Sequence, residues 1–108
     1  MEIEDLLSAE CILADFKASS KKQALQSLAK LAADKNGLCE REVFANLLER
    51  EKLGSTGVGK GVAVPHARIS GLEGIIGVFA RLSHPIDFDS VDDHPVDLMF
   101  MLLAPEDA

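Results

Sequence analysis

Leu53-Gly54-Ser55-Thr56-Gly57-Val58-Gly59-Lys60-Gly61-Val62-Ala63-Val64-Pro65-His66-Ala67-Arg68-Ile69 is the stretch on which the reading of this chain turns. Its glycines make a loop that turns freely and lets a ligand approach the backbone closely. Val62-Ala63-Val64 is a short apolar run of strand character. Pro65 ends it, because proline offers no N–H to a ladder and holds the residue before it extended. His66 follows at once, with Arg68 two residues on. An imidazole just past a strand end, beside a glycine loop and a cation, is where a reactive histidine would be presented. On the residues alone, His66 stands open between that role and an ordinary surface histidine.

Gly54 to Lys60 also fits the first seven positions of G-x-x-x-x-G-K-[ST], the nucleotide-binding P-loop. The eighth position is Gly61, so the hydroxyl that would hold magnesium is absent. The context is inverted as well. A P-loop follows a strand and opens a helix, whereas here a helical pattern precedes and a strand follows. The glycines therefore read as turning the backbone and admitting an anion, with Ser55, Thr56, Gly57, Gly59 and Arg68 as the candidate anion-binding set.

Working outward, a helix is expected from a cap at Ser19 or Ser20, with Ala24, Leu25, Leu28, Leu31 and Ala32 at helical spacing and an end at Asn36-Gly37. A second is expected over Glu40 to Lys52, with Val43, Phe44, Leu47 and Leu48 on one face. Residues 3–8 suit a short helical turn and Cys11 to Ala14 a first strand. Ile75 to Leu82 and Val96 to Leu103 are nearly continuous apolar runs, which suit strands covered on both faces. Between them lies an acidic connection with a short edge strand at Ile86 to Phe88. Strand, two helices, then several strands predict a mixed sheet with helices packed on it.

The length of 108 residues suits one domain, and the composition, 47% hydrophobic and 27% charged, is that of a globular one. A net charge of −7 without any basic run argues against nucleic acid or an anionic membrane as a partner. The acidic start, Met1 to Asp5, lacks the apolar core of a signal peptide, and no run reaches membrane-spanning length, so a cytoplasmic protein is expected. Cys11 and Cys39 have no metal or redox spacing and read as free thiols in or near the core.

Three histidines could carry chemistry. His84 precedes Pro85 and reads as a surface turn residue. His94 lies among Asp89, Asp92, Asp93 and Asp97, a pattern more often a solvated acidic turn than a metal site, and no metal or cofactor is expected. No serine or cysteine sits in a nucleophile elbow and no paired carboxylates stand out. That leaves the imidazole of His66 as nucleophile. Neutral imidazole attacks phosphorus well, and phosphoryl transfer asks mainly for positioning and charge stabilisation. Arg50, at the end of the second helix and just before the loop, is the candidate guanidinium for the phosphoryl group.

Arg50-Glu51-Lys52-Leu53-Gly54-Ser55-Thr56-Gly57 through Pro65-His66-Ala67-Arg68 resembles the active-site segment of phosphotransferase-system enzyme IIA domains of the fructose/mannitol and nitrogen-regulatory branch. Pro85-Ile86-Asp87-Phe88-Asp89 and Pro95-Val96-Asp97-Leu98 to Pro105 resemble the same branch, so the likeness spans almost the whole chain. The resemblance implies a three-layer α/β/α sandwich around a mixed sheet, His66 as phosphoryl acceptor, Arg50 as its stabiliser and an HPr-like phosphocarrier as donor. The acceptor it implies is an EIIB domain or a regulated target protein. Where the family often has glycine after the histidine, this chain has Ala67.

Family members continue past the Leu102-Leu103-Ala104-Pro105 strand into helices, the first of which brings a second active-site histidine. The 108 residues are therefore expected to be a domain truncated at its C-terminus, lacking that histidine and prone to self-association. A free-standing domain of this pattern resembles the nitrogen-regulatory type. The alternatives are the EIIA domain of a fructose/mannitol-type permease, or a non-catalytic binding module on the same fold.

Overall fold

The computed structural model describes residues 12–106. The expected turn over residues 3–8 and Cys11 lie outside them.

Two helices form where the apolar spacing places them. Helix α1 (Lys21–Asn36) starts at Ser20, which is extended in backbone and whose side-chain oxygen accepts the N–H of Gln23. Gln23 Oε1 reaches back to the N–H of Ser19 at 2.6 Å, which pins the entry to the helix. Ala24, Leu25, Leu28, Ala29, Ala32 and Ala33 are buried, while Leu31 is only half-buried. Gly37, at φ 67°, closes the helix in the left-handed region and donates its N–H to Ala33 O. Helix α2 (Glu40–Lys52) buries Val43 and Leu47, with Phe44 and Leu48 half-buried beside them. Glu40 and Glu42 lie in its first turn and Arg50 and Lys52 in its last, each sign at the end the helix dipole favours.

The sheet has six strands: β1 (Ile12–Phe16), β2 (Gly57–Gly59), β3 (Val62–Ala63), β4 (His66–Ile69), β5 (Ile76–Ile86) and β6 (Val96–Pro105). Their order is β1-β5-β6-β3-β2, with β4 also on β6. β5 and β6 run antiparallel. β1 lies parallel to β5, and β3 and β4 lie parallel to β6. The mixed sheet is thus as expected. Two strands go beyond the sequence reading: β2, which forms a hairpin with β3, and β4, in which His66 opens a strand instead of following one. Val62 pairs with Leu98 and His66 with Leu102, so β3 and β4 hold one register along β6 and Pro65 only interrupts it. The Pro65 carbonyl still accepts the N–H of Leu102 at 2.9 Å. The separate edge strand expected at Ile86 to Phe88 does not form, because β5 itself continues to Ile86. Pro85 is tolerated there since the register slips between Arg81 and Ile86.

The core gathers on one side of the sheet. Met99, Met101 and Leu103 of β6 and Val78, Ala80 and Leu82 of β5 pack with the buried residues of both helices in a single cluster. Their neighbours Leu98, Phe100 and Leu102 of β6 and Phe79 of β5 point the other way and are only half-buried. The covering expected for these strands is found on one face among the described residues. Among the described residues both helices lie on one face, giving two layers, and the third layer implied by the resemblance is not formed by them. A further correction concerns Cys39, which is exposed just before α2 and not in the core.

Candidate functional site

Along β4 the side chains alternate: His66 and Arg68 are exposed, Ala67 and Ile69 are buried. The parallel ladder sets His66 against Leu102 and Arg68 against Ala104, so all four share the sheet face that no helix of the described residues covers. Helix α2 packs beside β4, and its last turn carries Arg50 to the histidine. Asn46, one turn earlier, donates from Nδ2 to Arg68 O at 3.0 Å and ties the helix to the strand.

His66 is held at both ring nitrogens. Nδ1 lies 3.0 Å from the carbonyl of Val64, and Arg50 donates its Nε–H to Nε2 at 3.0 Å. A carbonyl can only accept, so the partners assign the proton to Nδ1 and leave the lone pair on Nε2. The break at Val64-Pro65 is what turns that carbonyl toward the ring two residues on. Arg50 also donates from Nη1 to Gly54 O at 2.9 Å, which binds the guanidinium to the start of the glycine loop.

The pair opens on a cleft of about 890 Å³ whose walls include Arg50, Leu53, His66, Arg68, Ile75 and Leu102. The Arg50 guanidinium meets the imidazole there, and Arg68, Glu49 and Glu106 also line the cleft. An imidazole with a fixed tautomer, whose Nε2 lone pair is engaged only by a displaceable Arg50 N–H at an open cleft that Arg68 also lines, can attack an electrophile bearing anionic oxygens.

The glycine loop is held by its own hydrogen bonds. Thr56 is buried, and both its N–H and its hydroxyl go to the Glu51 carboxylate. Ser55 Oγ donates to Phe88 O at 2.7 Å and accepts the N–H of Gly57 at 3.0 Å. Gly59 lies against Asp92, which also takes the N–H of Lys60. These polar groups are used up in folding the loop. Of the anion-binding set proposed from sequence, Arg68 lines the cleft while Ser55, Thr56, Gly57 and Gly59 do not. Lys60 and Gly61, with φ 56° and 82°, form the two-residue turn of the β2–β3 hairpin. A hairpin turn has the opposite topology to a P-loop.

Neither other histidine approaches this site. His84 rests near Ser83 Oγ at 3.4 Å and is exposed. His94 is exposed in the acidic connection, where its N–H is taken by Asp92 Oδ1. Backbone N–H groups of Lys60 and His94 hold the Asp92 carboxyl below its ordinary pKa. The aspartates fold a turn. Sequence reading missed Asn46, Leu53 and the Val64 carbonyl, none of which has a local signature, and the Glu51 contact, which depends on Lys21 thirty residues away.

The family model for the phosphoenolpyruvate-dependent sugar phosphotransferase system, EIIA 2, matches residues 5–108. The chain belongs to this family. The nitrogen regulatory protein of Bradyrhizobium diazoefficiens is 59% identical over 108 residues, covering all of this chain and 71% of that protein. The crystal structure of nitrogen regulatory protein IIA-Ntr from Neisseria meningitidis superposes with a TM-score of 0.92 at 42% identity, over 98% of this chain and 73% of that one. A fructose-specific EIIA component from Haloferax volcanii is more distant, at 36% identity over 96% of this chain and 68% of that protein. This EIIA domain is thus of the nitrogen-regulatory type. No helix of the described residues is long and apolar enough to cross a membrane.

Proposed function

We propose that this EIIA domain accepts a phosphoryl group on His66 Nε2 from the phosphohistidine of an HPr-like phosphocarrier. The observation that carries the reading is the fixed tautomer: Nδ1–H held by the Val64 carbonyl, and the Nε2 lone pair turned toward Arg50 and the cleft. In the transfer, the Nε2 lone pair forms a bond to phosphorus as the donor's P–N bond breaks and its electron pair returns to the donor imidazole. The ring of His66 keeps its Nδ1 proton and gains positive charge, which the Val64 carbonyl stabilises. Arg50 releases Nε2 as the phosphoryl group arrives and holds the phosphoryl oxygens, with Arg68 adding a second cation across the cleft.

The domain acts in the cytoplasm and hands its phosphoryl group to an EIIB domain, or signals by binding regulated target proteins according to its phosphorylation state. Its similarity to nitrogen regulatory proteins favours the second output. The test is labelling by a phosphorylated HPr-type carrier. The label should be acid-labile and base-stable, absent in His66→Ala and retained in His84→Ala and His94→Ala. Labelling that survives in His66→Ala would overturn the reading.

A further inference from the structure

We infer that Glu51, backed by Lys21, is the positioning residue that aims Arg50 at His66. The inference rests on the reading of His66 and Arg50 given above and adds a residue whose carboxylate bonds to Thr56 and Lys21 and not to that pair. Glu51 directly follows Arg50 in the last turn of α2, yet the two side chains behave oppositely. Arg50 reaches out to the imidazole, while the Glu51 side chain is 5% exposed.

An enclosed carboxylate persists only with its lone pairs engaged. Lys21 Nζ approaches Glu51 Oε1 at 3.0 Å, the Thr56 N–H donates to Oε1 at 3.0 Å and the Thr56 hydroxyl to Oε2 at 2.5 Å. Lys21 belongs to the first turn of α1, and its Nζ also lies 4.8 Å from the centroid of the Phe88 ring and 3.6 Å from Asp89 Oδ2. The Glu51–Lys21 pair therefore clamps the start of α1, the end of α2 and the glycine loop, and through Lys21 the 88–89 segment.

The clamp fixes what Arg50 needs. Successive helix positions lie about 100° apart, so holding Glu51 inward fixes the direction in which Arg50 leaves the helix. Holding Thr56 fixes the loop that starts with Gly54, whose carbonyl is the second anchor of the guanidinium. The Thr56 carbonyl in turn accepts the N–H of Val64 at 2.9 Å, and Val64 supplies the carbonyl that sets the His66 tautomer. Both halves of the His66–Arg50 pair are thus referred to Glu51.

The experiment compares the wild-type chain with Glu51→Gln, Thr56→Val and Thr56→Ser by nitrogen-15 NMR and by the rate of His66 labelling with phosphoramidate. In Glu51→Gln the Arg50 Nε–H signal should lose the shift that its bond to Nε2 confers, and the Nδ1–H tautomer of His66 should become mixed. Labelling should slow about tenfold, the scale of a small misplacement at a reacting centre. Thr56→Val, which keeps the shape and removes the hydroxyl, should repeat the effect more weakly, and Thr56→Ser should restore the wild-type spectrum. If Glu51→Gln does not fold, Thr56→Val carries the same prediction. An unchanged Arg50 and His66 spectrum in a folded Glu51→Gln or Thr56→Val chain overturns the inference, whatever the labelling shows. A wild-type chain that labels nowhere overturns the phosphoryl-acceptor reading instead, and the spectra still decide the role of Glu51.

Discussion

Phe79 of β5 and Phe100 of β6 meet edge to face, ring centroids 6.4 Å apart, on the side of the sheet that no helix of the described residues covers. Leu98 and Leu102 extend this apolar strip toward His66. A contiguous surface of this kind tends to find a partner, and each large side chain buried contributes about 1.5–3 kcal/mol. The 108-residue chain is therefore expected to associate with itself through this face. Light scattering after size exclusion should show mass rising with concentration, and Phe100→Glu should return the chain to a monomer. A wild-type monomer at high concentration would contradict this.

Arg50 is expected to be needed for its shape as well as its charge. Arg50→Lys keeps the cation but loses the planar fork that spans His66 Nε2 and Gly54 O. Transfer to His66 should slow by an amount equivalent to about 1–3 kcal/mol in either Arg50→Lys or Arg50→Ala, the scale of one charge-assisted contact. Thermal unfolding should change little, because the guanidinium lies at an open cleft. A wild-type rate in Arg50→Ala would show that the guanidinium does not act on the phosphoryl group.

Gly57 is fixed by space. A Cβ there would run into Ser90 Oγ and crowd Ser90 Cα at 3.1 Å. Gly57→Ala should destabilise the domain by about 1–3 kcal/mol, as overpacking of a closed site does. The Ser90 hydroxyl is itself buried, with no hydrogen-bond partner among the described residues. Ser90→Ala should accordingly be neutral or slightly stabilising. Denaturant midpoints check both, and Gly57→Ala at wild-type stability would show that the 88–90 segment moves aside freely.

Asp92 is expected to give the fold a pH-dependent contribution. Its carboxyl sits below the ordinary aspartate pKa of 3.8, first because of the Lys60 N–H and then that of His94. A depressed carboxyl pKa stabilises the fold above the unfolded-state value and loses that contribution as pH falls through the folded one. Asp92→Asn should therefore lower the unfolding midpoint at neutral pH, and the difference should close as pH drops below the ordinary aspartate range. A gap that stays constant with pH would rule out the carboxylate as its source.

Much of this architecture is written in local patterns. The helical spacing of Leu25 and Leu28, the Ser20 cap, Gly37 and the Glu40–Lys52 span are all set by near neighbours, and all are found where periodicity puts them. The parts that escape sequence reading depend on distant pairing. Pro65 looks like a strand end, yet β6 carries the same register past it from Val62 to His66. Val96 to Leu103 looks buried on both faces because apolar content does not say which face a helix will cover. At the site, His66, Arg50 and Arg68 were legible as one cleft from their chemistry and order. Where the Ser55 and Thr56 hydroxyls go was not legible, because a hydroxyl in a glycine loop serves equally to fold the loop, and its partners, Phe88 and Glu51, are settled only by tertiary contact.

The most direct test of the account is which atom becomes phosphorylated. Long-range proton–nitrogen correlation of the chain after labelling by an HPr-type phosphocarrier reads the two imidazole nitrogens separately. Phosphorus coupling is expected at His66 Nε2 with the proton retained on Nδ1, in keeping with the Val64 and Arg50 contacts. Phosphorus on Nδ1, or on any residue other than His66, would contradict it.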